Sequence, residues 1–267
     1  MACRSTEKGE RAAYVVRSAA KSSKLRVEAL DLSSLASVRA FAEKACREIP
    51  RLDLLVNNAG VMAIPRTLSQ DGFEMQLGTN HFGHFALTGL LLGPLLAADS
   101  ARIVTISSGA HRFGRMDFDD LMGERRYQKW IAYAQSKLAN LLFFHELDRR
   151  IRRAGKAIKS LAAHPGYAAT NLQYVGPELE GSKLGHAVMS FGNGFIAQSA
   201  AMGALPTVRA ATDPSAASGS YYGPDGFREL RGHPVIVRTS RRARSEEDAR
   251  RLWAVSEKLT GVVYGVI

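Results

Sequence analysis

Apolar residues along this chain come in two rhythms. Short runs in which apolar residues predominate, most of them rich in Val, Ile or Leu, at 25–30, 52–56, 102–106, 158–163 and, more weakly, 219–222, read as strands of a sheet covered on both faces. Between them, at 34–49, 72–98, 130–153, 199–212 and 245–259, longer stretches carry apolar positions at helical spacing. Strand alternating with helix predicts a Rossmann-like doubly wound α/β fold, a parallel sheet covered on both faces, in one domain over 1–267. Ser34 caps the first of these helices, and Ser245-Glu246-Glu247-Asp248 opens the last with a serine and an acid three residues on. The apolar part of the 72–98 stretch is interrupted by Thr88, Gly89, Gly93 and Pro94 and falls short of the ~20 residues that a membrane span needs. A segment richer in Gly and Pro, with Leu179, Leu184 and Phe191 among its apolar residues, is expected to form a flap over substrate at 174–197.

Four of the strands end in polar or glycine-bearing turns: Asp31-Leu32-Ser33, Asn57-Asn58-Ala59-Gly60, Ser107-Ser108-Gly109 and His164-Pro165-Gly166. Ligands of open α/β sheets bind beyond the carboxyl ends of the strands, so these turns are expected to line one site. Tyr133 and Lys137 stand one helical turn apart, on one face, where an ammonium favours phenolate and is expected to lower the tyrosine pKa toward the working range of a proton donor. Ser108 can hydrogen-bond a carbonyl or alcohol oxygen. Asn80 sits inside a helical segment, an unfavourable place unless its amide is bonded. Taken singly, these residues read as an exposed helix pair, a cap serine and a turn glycine.

In combination and in this order they resemble the short-chain dehydrogenase/reductase family, with its NNAG strand end, helix asparagine, paired serines, YxxxK and PG turn. The segments LDLSSLASVR, GHFALTGLLL and ARRLWAVSEKLTG are similar to the branch of retinol dehydrogenases, WW-domain oxidoreductases and their bacterial relatives. The resemblance implies an oxidoreductase moving a hydride between a nicotinamide cofactor and an alcohol, aldehyde or ketone, a hydrophobic one if the flap lines the pocket. It makes Tyr133 the acid/base, with Lys137 lowering its pKa and holding the nicotinamide ribose; Ser108 orients the reacting oxygen, and Asn80 holds a water in the proton relay. Asp31 and Leu32 would flank the adenine, Asn58, Ala59 and Gly60 would lie along the cofactor, and Pro165, Gly166 and Thr170 would close over the nicotinamide. At the strand end Met1-Ala2-Cys3-Arg4-Ser5 an arginine suits an extra ribose phosphate and no acid precedes Glu7, so NADP is expected, with NAD as the alternative.

The family's opening strand, TGxxxGxG turn and first helix have no counterpart in 1–267; the nearest fragment, Gly192-Asn193-Gly194, lacks a first glycine and a strand before it. In the resembled fold that strand lies between the one ending near Cys3 and the one ending at Asn57. The expectation is that in-frame DNA upstream of Met1 encodes it; the alternatives are an inactive truncated product or a non-catalytic nucleotide-binding or interaction protein on the same scaffold. A net charge of +11 invites a nucleic-acid reading, but the densest basic runs, 149–153 and 238–244, have no interleaved aromatics and read as a solvated basic face. His81 and His84 lack a third ligand, which sets a metal aside, and the two cysteines read as small core residues. A charged start with no apolar run behind it is neither signal peptide nor anchor, so a cytoplasmic protein is expected, with room for a homo-oligomer.

Overall fold

The computed structural model describes residues 1–20, 24–167 and 198–267. Thr170 and the expected flap at 174–197 lie outside the described residues. Four parallel strands, β3 (Leu54–Asn57), β4 (Ala101–Ile106), β5 (Ile158–Ala163) and β6 (Tyr221–Pro224), stand side by side in that order, and β7 (Pro234–Ile236) pairs antiparallel with β6. Both faces of β4 are buried, with Ile103 on one and Val104 and Ile106 on the other. Ile103 joins the core beneath α2 (Leu35–Glu48), α4 (Gly83–Leu90) and α6 (Lys129–Arg153), while Val104 and Ile106 pack with Leu161, Tyr222 and Ala210 of α7 (Ala200–Thr212). The last helix, α8 (Glu246–Thr260), is capped by Ser245, whose hydroxyl accepts from the Asp248 amide, and sets Trp253 in a stack on Phe143.

A second, two-stranded ladder pairs β1 (Ala2–Cys3) in parallel with β2 (Glu28–Ala29), bridged by α1 (Thr6–Ala19). Among the described residues no strand pairing joins it to the larger sheet. Between β1 and β3 runs a largely apolar groove of about 700 Å³, walled by Leu30, Leu55, Leu87 and Leu91 among others. The interruption falls between the strands ending at Cys3 and Asn57, where the resemblance leaves a strand unaccounted for. Leu54 of β3, which lines the groove, is 38% exposed although its strand is mostly apolar.

The 72–98 stretch is helical with the breaks its interruptions lead one to expect, as α3 (Met75–Leu77), a π-helical turn (Gly78–Phe82), α4 and α5 (Leu92–Leu96), with Leu91 as a non-helical hinge at φ −91°, ψ 7°. Other details depart from expectation. The cysteines are not core residues: both are free thiols, Cys3 half-buried and Cys46 exposed. The basic run at the end of α6 is not a freely solvated face, since Arg149 and Arg150 grip buried Glu146 at 2.7 and 2.9 Å and Arg152 pairs with Asp148 at 2.9 Å. Among the described residues no helix is long and apolar enough to cross a membrane, and no cluster of metal ligands occurs.

Candidate active site

The site is assembled where β3, β4 and β5 end, because α6 is stapled across them. Ser107 donates to the Lys137 carbonyl at 2.9 Å, and Asn140 Nδ2 donates to the Ile106 carbonyl at 2.9 Å. These bonds fix the first turns of α6 over the serine turn, which places Tyr133 and Lys137 inside the protein, 5% and 4% exposed. The Lys137 ammonium lies 5.8 Å from the Tyr133 ring centre and, among the described residues, has only a long bond, 3.4 Å, to the Ile106 carbonyl. A buried ammonium with donors to spare calls for hydroxyl or anionic oxygens on a ligand.

Burial decides the ionisation here. It pushes the Lys137 ammonium down to about 8. It also raises the Tyr133 phenol, with the bond to the Ser108 hydroxyl pulling the other way. The expectation that Lys137 lowers the tyrosine is therefore corrected: in the structure desolvation wins, and Tyr133 is a protonated phenol at neutral pH.

Asn80 has its amide bonded, as its place in a helix demands. Its Oδ1 accepts from the Val61 amide at 2.8 Å, and its Nδ2 donates to the Val61 carbonyl and to Ser136 Oγ, both at 2.9 Å. Ser136 donates in turn to the Tyr133 carbonyl at 2.8 Å. The π-helical turn around Asn80 is thereby tied both to the NNAG turn and to the helix bearing the tyrosine. Gly60 is where they meet: a Cβ added there would sit 2.8 Å from Asn80 Oδ1 and 3.5 Å from Lys137 Nζ. His84 donates through Nδ1 to the Asn80 carbonyl at 3.0 Å and is neutral, burial holding it at about 4.

The groove links this centre to the residues expected at the adenosine end. Arg4, Asp31 and Leu32 line it at one side, and Asn58, Ala59 and Gly60 at the other. Tyr133, Lys137 and Ser108 are not part of its wall; Gly60 is the link. Asp31 Oδ1 accepts from the Ser33 amide and hydroxyl at 2.9 and 2.7 Å, while Arg4 is exposed and has no ion pair among the described residues. An oxygen-rich, extended nucleotide fits these residues at both ends: the cationic Arg4 at one, the underused Lys137 donors and the glycine-lined turn at the other.

The serine turn continues as a short 3-10 helix (Gly109–Arg112) in which Ser108 Oγ accepts from the Ala110 amide at 3.2 Å, leaving its own proton for another acceptor. His111 Nδ1 donates to the Ser108 carbonyl at 2.7 Å. Pro165 and Gly166 follow β5, and Gly166 has φ +67° with the Leu230 carbonyl where a Cβ would go, so a side chain there would meet both strain and a clash. Sequence reasoning gave no role to Ser136, Asn140, His111 or Glu229 and named His164 only as part of a turn; the first three and His164 stand within three residues of the expected ones, whereas Glu229 reaches its partners from 65 and 117 residues away.

A buried tyrosine and lysine, with a serine hydroxyl beside the phenol at the carboxyl ends of a parallel sheet, form a centre with the chemistry to hydrogen-bond one ligand oxygen, next to the groove. A family model described as short chain dehydrogenase matches residues 1–178. Human retinol dehydrogenase 13 is 41% identical over 266 residues, 98% of this chain and 76% of the relative, and human retinol dehydrogenase 12 is 40% identical over 98% and 78%. The solved structure of an uncharacterized protein from Mycobacterium paratuberculosis superposes with a TM-score of 0.75 at 42% identity, covering 99% of this chain and 84% of that one. The Pseudomonas aeruginosa RhlG/NADP complex, 23% identical with a TM-score of 0.60 over 86% and 85%, shares the fold. The chain belongs to the short-chain dehydrogenase family, a family of oxidoreductases, and is of the retinol-dehydrogenase-like branch.

Proposed function

We propose that the chain reduces or oxidises a small apolar alcohol or carbonyl compound with NADP(H), Tyr133 being the group that passes the proton. The observation that carries this reading is the buried Tyr133, kept protonated by desolvation, with the Ser108 hydroxyl beside its phenol and the Lys137 ammonium 5.8 Å from its ring centre on the same helix face. When bound, the nicotinamide supplies or accepts the hydride. Ser108 donates to the substrate oxygen and holds it against the phenol. As that oxygen gains negative charge in reduction, Tyr133 gives it the phenolic proton; in oxidation the same oxygen returns it. Lys137 stabilises the phenolate left behind, and its spare donors would hold the ribose hydroxyls. Asn80 secures Val61 and Ser136, and so the walls on either side of Lys137. Arg4 supports NADP over NAD, since its guanidinium borders the groove with no acid competing for it on the same strand end. The retinol dehydrogenases among the relatives, named for an apolar alcohol, support the substrate class.

The test is Tyr133→Phe, which keeps the ring and removes the proton. Turnover is expected to fall by about 10²–10⁴ while NADPH affinity changes little, whereas Lys137→Ala damages both. Steady-state rates with an apolar aldehyde and a fluorescence titration with NADPH measure the two effects. Near-normal turnover in Tyr133→Phe would remove the mechanism.

A further inference from the structure

On the far side of the site, a short loop presents one carboxylate to two of the turns that frame the reaction. Arg228 and Glu229 take up consecutive left-handed conformations, φ 51° and 58°, which non-glycine residues adopt only when their surroundings impose it. The strained loop aims Glu229 inward. One carboxylate oxygen accepts from Arg112 Nη2 at 2.7 Å, at the end of the 3-10 turn that starts at Ser108. The other accepts from His164 Nε2 at 3.0 Å, in the residue just before Pro165 and Gly166.

His164 is held in one tautomer by these neighbours. Its Nδ1 accepts from the Gly166 amide at 3.2 Å, so the proton sits on Nε2 and is donated to Glu229. The ring is 1% exposed, lies 5.3 Å from that of Tyr221, and fits only because residue 223 is glycine: a Cβ there would come within 2.1 Å of His164 Nε2. The same loop holds the turn at two more points. The Leu230 carbonyl accepts from the Tyr167 amide at 2.7 Å, and the Gly232 amide donates to Gln198 Oε1, whose amide nitrogen donates to the Pro165 carbonyl at 2.6 Å.

We propose that Glu229 is a positioning residue that ties the Ser108 turn, through Arg112, to the Pro165–Gly166 turn, through His164, and so sets the distance between the substrate oxygen and the nicotinamide. The assignment rests on the functional reading above for its catalytic meaning, but the tie itself is a property of the free protein. A partly exposed pair of this kind contributes little to global stability. Left-handed strain spent on so small a stabilising return is accounted for by geometry held at the site rather than by folding.

The tie has two separable arms. His164→Asn keeps an acceptor for the Gly166 amide but cannot reach Glu229, so it is expected to raise the KM for NADPH with kcat largely retained. Arg112→Met cuts the serine side and is expected to lower kcat with the NADPH KM largely retained. Glu229→Gln, isosteric but unable to accept from both donors, should do both, by about tenfold each, with the melting temperature of the free protein within about 2 °C of wild type. Amide hydrogen exchange on the free proteins is run alongside, and Glu229→Gln should accelerate exchange in residues 109–112 and at Gly166 and Tyr167. Unchanged exchange overturns the tie. Accelerated exchange with unaltered kinetics, in an enzyme that Tyr133→Phe inactivates, overturns the positioning role. Accelerated exchange in Glu229→Gln, when the wild-type protein neither binds NADPH nor depends on Tyr133, supports the tie and removes the functional reading instead.

Discussion

Acid should unfold this protein early, for a reason written into its core. His81, His84 and His111 are 1%, 4% and 0% exposed, and burial lowers them from 6.5 to about 3, 4 and 4. Each folded value lies below the unfolded one, so between pH 6.5 and 4 the unfolded chain binds more protons and stability falls as pH drops through that window. At pH 5 a histidine with an unfolded pKa of 6.5 that is barred from protonating when folded costs about 2 kcal/mol. Three cost about 6 kcal/mol, a large part of the 5–15 kcal/mol by which a domain is ordinarily stable. Urea denaturation at pH 7, 6 and 5, followed by the fluorescence of buried Trp253, measures the loss. His81 donates to Ser256 Oγ at 2.8 Å, a bond that glutamine can restore without a titrating group. His81→Gln should therefore lose about 2 kcal/mol less than wild type between pH 7 and 5. Equal losses in the two proteins, or a flat profile down to pH 5, would refute the reasoning.

Three further outcomes are expected. Gly60→Ala forces a methyl to within 2.8 Å of an Asn80 oxygen that cannot swing away, so it should cost about 1–3 kcal/mol, lower the melting temperature, and weaken NADPH binding; an unchanged melting curve would show that the turn yields. Arg4→Asp should move cofactor preference from NADP toward NAD, read as the ratio of kcat/KM values, and an unaltered ratio would place the phosphate elsewhere. Lys137 loses its charge near pH 8 in the free protein, so kcat/KM for reduction should decline above that pH, whereas Lys137→Arg, whatever its absolute rate, should lack the decline.

The larger sheet was legible in the sequence because β4 and β5 are covered on both faces, and a short run with apolar residues on both of its sides has no side it can turn to water. Helices α2 and α8 were legible from their serine caps. Helix α1 was not: it buries only Gly9 and Ala13, so no apolar stripe marks it. Strand β7 begins at Pro234 and has only three residues, which on paper reads as a turn. At the site, residues whose chemistry is local were visible. Tyr133 and Lys137 share a helix face, and Asn80 advertises itself by being an asparagine inside a helix. The tyrosine's ionisation was misjudged because spacing shows the nearby charge but not the desolvation. Glu229 was invisible, since its partners are 65 and 117 residues away and nothing local distinguishes it from any surface glutamate.

The gap between the two ladders changes what a bound ligand does. Arg4 and Asp31 follow the strands of the small ladder, Gly60 follows β3 of the large sheet and Lys137 and Tyr133 stand on α6, and among the described residues no strand pairing crosses the groove. A molecule long enough to touch both sides acts as a strut as well as a ligand. Part of its binding free energy goes into holding the two sheets in register, and the rest appears as affinity. Saturation then raises the stability of the folded chain by an amount set by ligand concentration relative to Kd. A fragment that reaches only one side adds nothing across the groove, where Leu30 and Leu32 already share a core with Phe85 and Ile103, and cannot convert its contacts into added rigidity.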